Sequence, residues 1–138
     1  PNTSPVQIDR DGIRQVFFNI INNAKFSMNG GGRFTVSTEA LNPEKNWSFY
    51  KGEESTAPNP ERIVRIKFLD TGSGIHKEDM EKIFEPFFTT KPEGKGTGLG
   101  LSVSYSIIEK HRGRLEVEST WGVGTTVVID LPIQKMAI

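Results

Sequence analysis

The stretch GKGTGLGLS, residues 94–102, decides how the chain is read. Four glycines (Gly94, Gly96, Gly98, Gly100) fall within seven positions, directly ahead of an amphipathic run. Glycine loses more backbone freedom on folding than any other residue, so such a concentration needs an offset. Two offsets are available: a tight turn, or a ligand that requires bare backbone. Bare N–H groups ahead of a helix, added to the partial positive charge of its N-terminus, make a cradle for an anion. Lys91 and Lys95 add mobile positive charge, and Pro92, Gly94 and Gly96 fit a loop that closes over something. The plainer alternative is a flexible connector with Thr97 as N-cap.

Working outward, residues 99–110 carry a helical period, closed by Gly113. Upstream, residues 9–28 do the same: Ile13, Val16, Phe17, Ile20, Ile21 and Ala24 recur at i, i+3, i+4 and i+7. Asp9 or Asp11 caps that helix and NGGG, residues 29–32, stops it. Residues 33–40, 63–70, 114–119 and 125–132 alternate as strands, the last two joined by TWGVG. Residues 76–84 read as a short helix, 85–98 as a loop, and 41–62 as a polar extension carrying Trp47, Phe49 and Tyr50. Those aromatics either pin the extension to the body or form an exposed partner patch. The expected architecture is one α/β (α+β) domain over residues 1–138. A mixed, mostly antiparallel sheet is covered on one face by about three helices, making a two-layer sandwich.

The totals narrow the functional classes. The chain has 138 residues, with 17 basic and 17 acidic side chains, so no bulk attraction to nucleic acid or an anionic membrane is expected. It has no cysteine, which removes disulfide and thiolate chemistry, and its two histidines, His76 and His111, are too far apart for a typical metal cluster. No apolar run is long enough to span a bilayer and no signal peptide is seen; the expectation is a soluble, cytoplasmic domain, monomeric in isolation. The abrupt opening PNTSPVQID is equally compatible with a piece of a longer protein.

Three further places can carry chemistry. Gln15, Asn19 and Asn23 are spaced by four along the first helix, with Ser27 continuing the row. Asparagine disfavours helix interiors, and two in register ask for a partner. A carboxamide oxygen is a hard, neutral ligand suited to Mg²⁺ that also holds phosphate oxygens. Solvated amides on an exposed edge are the alternative. In DTGSGI, residues 70–75, a strand ends on an inward carboxylate, Asp70, and Gly72 and Gly74 let the chain turn. An ionised Asp70 accepts hydrogen bonds only, so it suits adenine's exocyclic amine and not guanine's carbonyl. An Asx-capped turn is the alternative. Thr125 shares a strand face with Val127, Ile129 and Leu131, in the layer of Asp70; it also reads as an ordinary strand residue.

Taken in order, these strings resemble the ATP-binding catalytic domain of sensor histidine kinases, in the superfamily of DNA gyrase B, Hsp90 and MutL. NIINNA resembles the N box, DTGSGI the first glycine box, IFEPFF the phenylalanine box, GTGLGLS the second glycine box and GVGTTVVIDLP the last. The run from residue 83 to 119 is similar to the nitrogen-regulator subgroup. The resemblance implies ATP lying between the helix layer and a mobile lid over residues 85–98. It implies Asn23 as Mg²⁺ ligand with Asn19 beside it, both counted as catalytic, and Ser27 further along that row. It implies Asp70 on the adenine amine with Thr125 helping through water, and Gly72 and Gly74 allowing close approach. Ile75 and Phe88 would wall the base, and Thr89, Thr90 and Lys91 would sit in the lid. Gly96, Thr97, Gly98, Leu99, Gly100 and Leu101 would hold phosphates by backbone amides.

The implied activity is transfer of the γ-phosphoryl group of Mg-ATP to a histidine on a separate dimerisation domain of a two-component sensor kinase. A response regulator receiver domain is then an indirect partner. Phe26 stands where many members carry Lys or Gln near the phosphates. Gln15 stands where water-splitting members carry Glu, and an amide cannot serve as a general base. The rival readings are an ATPase of the same fold, a non-catalytic adenine-nucleotide module and an anti-sigma-type serine kinase. His76 and His111 are expected to be structural.

Overall fold

The computed structural model describes residues 8–43, 60, 62–89 and 100–133. Helix α1, Arg10–Ser27, starts where Asp9 accepts the Asp11 amide at 3.2 Å. Four of its apolar positions, Ile13, Val16, Ile20 and Ala24, are buried one turn apart. Ile21, expected on that face, is 46% exposed, so the buried stripe is narrower than the sequence period. The strands are β1, Phe34–Leu41, β2, Arg62–Asp70, β3, Arg114–Thr120, and β4, Gly124–Ile133, with helix α2, Gly100–Lys110, between β2 and β3. Among the described residues the three strand pairings are antiparallel, in the order β1-β2-β4-β3, with no parallel pair of the mixed sheet expected.

Alternation divides the sheet into two faces. Phe68 of β2, Leu115 of β3 and Val127, Ile129 and Leu131 of β4 meet Ile13, Val16 and Ile20 of α1 and Ile108 of α2 in one core. Phe17 tilts onto Phe68 with ring centroids 5.4 Å apart. This is the two-layer sandwich expected; the described residues hold two α-helices where about three were expected. The opposite face carries a row of alternating charge set by the register: Glu39 faces Arg65, Arg65 faces Asp130, and Asp130 faces Arg114. Arg65 makes two parallel bonds to Asp130, Nε–Oδ1 2.8 Å and Nη2–Oδ2 3.0 Å. That bond raises the guanidinium's already high pKa, against a smaller opposing effect of burial.

Two local expectations change. The segment read as a helix over residues 76–84 holds a single 3-10 turn, Lys77–Asp79, followed by further turns. A helix of two turns scarcely repays its nucleation; here Ile83 is buried and Phe84 packs on Tyr105 of α2 at 5.2 Å, so side-chain anchoring replaces helical bonding. The left-handed residue that closes α2 is Arg112, φ 57°, and not Gly113. Gly113 is required for space: a Cβ there would lie 2.6 Å from the Asp130 carbonyl oxygen.

Candidate functional site

β2 delivers Asp70 to the edge of the core, where it is 7% exposed. Its Oδ1 accepts the Gly72 amide at 2.9 Å, which sets the turn after the strand. Among the described residues no other donor reaches this carboxylate. A buried carboxylate with spare acceptor capacity is costly unless a ligand or water supplies the missing donors. Thr125 of β4 stands opposite Asp70 on the same face, as expected.

The Thr125 hydroxyl turns to β3: its Oγ1 lies 2.8 Å from Ser119 Oγ. Ser119 Oγ also accepts the Ile75 amide at 2.8 Å and lies 3.0 Å from the Gly124 carbonyl oxygen. Ser119 thus joins the floor strand to the glycine turn. Sequence reasoning missed it because a lone serine in an alternating strand looks like surface; its place opposite Thr125 across the TWGVG turn was the available signal.

The turn after Asp70 is wedged between two backbones. A Cβ on Gly72 would lie 2.8 Å from the Ser27 carbonyl carbon, and one on Gly74, φ 75°, would lie 2.8 Å from that of Thr120. Both glycines are therefore fixed by close approach. Ser27 holds the turn from the α1 side: its carbonyl and its hydroxyl both accept the Ser73 amide, at 3.1 and 3.0 Å. On the other side the Gly122 amide donates to the Ser73 carbonyl. His76 stacks on Trp121 with centroids 3.5 Å apart. Ile75 is half-buried beside this wall.

The amide row meets the start of α2. Asn19 Nδ2 donates to the Gly100 carbonyl at 3.2 Å and to Ser104 Oγ at 3.3 Å. Ser104, fully buried, returns its own proton to the same carbonyl at 2.7 Å. A carbonyl cannot donate, so this fixes the Asn19 amide orientation and turns Oδ1 away from the helix. Asn23 lies one turn on, its Nδ2 4.0 Å from where a Gly100 Cβ would stand. The two carboxamides therefore border Gly100 at the start of α2, which leaves ordinary van der Waals space beside them. Gln15 is exposed, and Leu101 is half-buried in the first turn of α2. Phe26 is 43% exposed at the end of α1.

Phe88 is half-buried, its amide bonded to the Glu85 carbonyl at 3.2 Å, and Thr89 is exposed. Thr90, Lys91, Gly96, Thr97, Gly98 and Leu99 lie outside the described residues, as do most of the proposed lid and of the 41–62 extension. Among the described residues no group of three or more His, Cys, Asp or Glu side chains converges on a metal position. The donor set fits a magnesium ion held by one or two neutral oxygens and completed by phosphate oxygens and water, not an all-protein cage. No helix among the described residues is long and apolar enough to cross a membrane.

The chain is similar in sequence and in fold to sensor histidine kinases. The sensor kinase CckA of Brucella abortus is 42% identical over 128 residues, covering 93% of this chain and 13% of its own length. Sporulation kinase E of Bacillus subtilis is 37% identical over 133 residues, covering 96% of this chain and 15% of its own. The chain therefore spans a small fraction of the curated relatives it matches. Among solved structures, the catalytic domain of histidine kinase ThkA in a nucleotide-free form superposes with a TM-score of 0.67 at 32% identity, over 94% of this chain and 71% of that one. The mycobacterial sensor histidine kinase MprB superposes with a TM-score of 0.70 at 27% identity, over 95% and 76%. The family model described as histidine kinase-, DNA gyrase B- and HSP90-like ATPase matches residues 8–135, and the chain belongs to that family.

Proposed function

We propose that this chain is the ATP-binding catalytic domain of a two-component sensor histidine kinase. It binds Mg-ATP and passes the γ-phosphoryl group to an imidazole on a separate, histidine-bearing dimerisation domain. The observation that carries the nucleotide assignment is Asp70: a buried, acceptor-only group at a strand end, opposite Thr125 and bounded by a turn too tight for side chains. Such a group matches the amine of adenine. Ile75 and Phe88 flank the base, and the turn at Gly72 and Gly74 admits its close approach.

Asn23 and Asn19 would hold the magnesium ion, which, when bound, neutralises charge on the phosphate oxygens. The chain's own contribution is alignment and charge stabilisation, which is most of what phosphoryl transfer requires. Gly100, the first residue of α2, lies beside the two asparagines, and the amides of Gly100 and Leu101 would be offered to the phosphates there. Backbone amides from Gly96 to Leu99, with Thr89, Thr90 and Lys91 in a lid, would complete the phosphate site. Gln15 supports transfer over hydrolysis, since an amide cannot take a proton from water.

Neither histidine of the chain suits the acceptor role. His111 Nε2 accepts the Asp9 amide at 2.8 Å and Nδ1 lies 2.7 Å from the Ile107 carbonyl oxygen, so both ring nitrogens are engaged. His76 is stacked on Trp121. The acceptor therefore lies on another domain, and a receiver domain takes the phosphoryl group from it. The lid sequence favours a nitrogen-regulator-like sensor. The domain is read as cytoplasmic and monomeric in isolation, and its balanced charge supports the absence of bulk attraction to nucleic acid or an anionic membrane.

The test is transfer of label from γ-³²P-ATP. The chain alone should stay unlabelled and should label a separately supplied histidine-bearing helical domain from a sensor kinase in an acid-labile, magnesium-dependent manner. Stoichiometric labelling of His76 or His111 in the chain itself would overturn the assignment.

A further inference from the structure

We propose that Ser119 is a positioning residue for base selection: it fixes the direction of the Thr125 hydroxyl proton, so that the floor of the nucleotide pocket offers acceptors and no donor. This rests on the placement of the adenine amine at Asp70.

A proton count leads to it. Among the described residues three partners surround Ser119 Oγ: the Ile75 amide at 2.8 Å, the Gly124 carbonyl oxygen at 3.0 Å and the Thr125 hydroxyl at 2.8 Å. A serine hydroxyl has one proton and two lone pairs. The amide can only donate, so it takes one lone pair. The carbonyl can only accept, so it takes the proton. The remaining lone pair can be satisfied only by the proton of Thr125. Any other assignment leaves two oxygens about 3 Å apart with no hydrogen between them, a repulsive contact. The Thr125 oxygen then keeps its lone pairs for the pocket and has no proton to give.

Asp70, on the same face and opposite Thr125, is acceptor-only as well. The floor thus presents two acceptors side by side, and a ligand must bring the donors. A 6-amino purine does so directly, or through a water that donates to its ring nitrogen. A 6-oxo purine brings a carbonyl against an acceptor, which costs affinity because neither partner can supply the proton. Without Ser119, the Thr125 hydroxyl is free to rotate and donate to that carbonyl, and part of the discrimination disappears. The selective group is therefore a residue that need not touch the base.

The experiment measures Kd for Mg-ATP and Mg-ITP by titration calorimetry on the full chain. ITP differs from ATP by a 6-oxo group in place of the amine, with a proton on N1. In the native protein ATP should bind more tightly. Ser119→Ala should reduce the ATP:ITP preference by about threefold to tenfold, the worth of one hydrogen bond changed in sign. Ser119→Thr, which keeps the hydroxyl, should restore the preference. In a Thr125→Val background, Ser119→Ala should leave the preference unchanged.

A merely structural serine would weaken both nucleotides by the same factor, and that result, or an unchanged ratio, overturns the inference while leaving the nucleotide site standing. Native protein that fails to prefer ATP overturns the Asp70 placement itself. If Ser119→Ala does not fold, Ser119→Cys, with a weaker donor and acceptor, should lower the ratio in the same direction.

Discussion

Asp70 and Thr125 face each other across the β2–β4 pair, yet each is held by a different neighbour: Asp70 by the Gly72 amide at 2.9 Å and Thr125 by Ser119 at 2.8 Å. The carboxylate consequently keeps acceptor capacity that the described protein does not use. Asp70→Asn should preserve the turn, because an amide oxygen still accepts from Gly72. It should cost about 2 kcal/mol of nucleotide binding, roughly thirtyfold in Kd, through loss of a charged acceptor. Calorimetry alongside a thermal melt separates the two; a thirtyfold loss accompanied by a collapsed melting temperature would instead mark Asp70 as a folding residue.

Asn23→Ala should act on the metal and not on the base. Loss of a magnesium ligand should reduce the benefit of added Mg²⁺ for ATP binding by about tenfold or more, while metal-free binding changes little. Titrations with magnesium and with a chelator give that ratio directly; equal weakening in both would argue that Asn23 only supports α1.

Gly72→Ala should destabilise the domain by about 1–3 kcal/mol, since the new methyl meets Ser27 backbone and neither chain can retreat freely. Nucleotide binding should fall further than stability does, because the same turn positions Asp70 and Ile75. Denaturant melts read the first effect and calorimetry the second.

Arg65→Ala strands the Asp130 carboxylate, which is 3% exposed, without its paired guanidinium. Removing one partner of a largely buried pair should cost about 2–3 kcal/mol, less than for a fully buried pair because Arg65 retains access to water. The pH dependence follows from the raised arginine pKa. A raised value contributes stability that is fully present below the unfolded value and is lost only as pH rises through the folded one. Titration of Arg65 should therefore add no slope between about pH 6 and 10, a range far below any arginine titration. A stability difference between native and variant protein that shrinks steadily across that range would contradict this.

Arg112→Gly should stabilise the domain by about 1 kcal/mol by relieving a left-handed residue that carries a Cβ. Chemical denaturation of the two proteins is sufficient to test it.

Periodicity carried most of the architecture. Ile13, Val16, Ile20 and Ala24 recur at helical spacing and are buried; Val64, Phe68 and Asp70 alternate and share the inner face. These patterns are legible because burial of one face imposes them. Asn19 stood out because asparagine in mid-helix needs a reason, and the Gly100 carbonyl is the partner found. The role of Ser119 was hidden because it depends on cross-strand register, which no local pattern encodes. The backbone of Arg112 was hidden because the adjacent Gly113 is the residue chemistry would choose for a left-handed cap. Glycine was spent there on a close approach to Asp130, leaving the arginine to absorb the turn.

Ser119, Thr125 and Asp70 lie on one line across β3, β4 and β2, with one residue contributed by each strand. Sliding any of these strands by two residues would still bury apolar side chains inward, so hydrophobicity alone does not forbid it. Such a slip would, however, scatter the triplet, and mismatch the ionic row from Glu39 to Arg114 on the far side. Affinity for a purine is thereby a report on correct strand alignment: only chains whose three neighbouring strands have annealed in frame acquire a base-binding floor, and ligand would draw misaligned molecules toward the native frame by mass action.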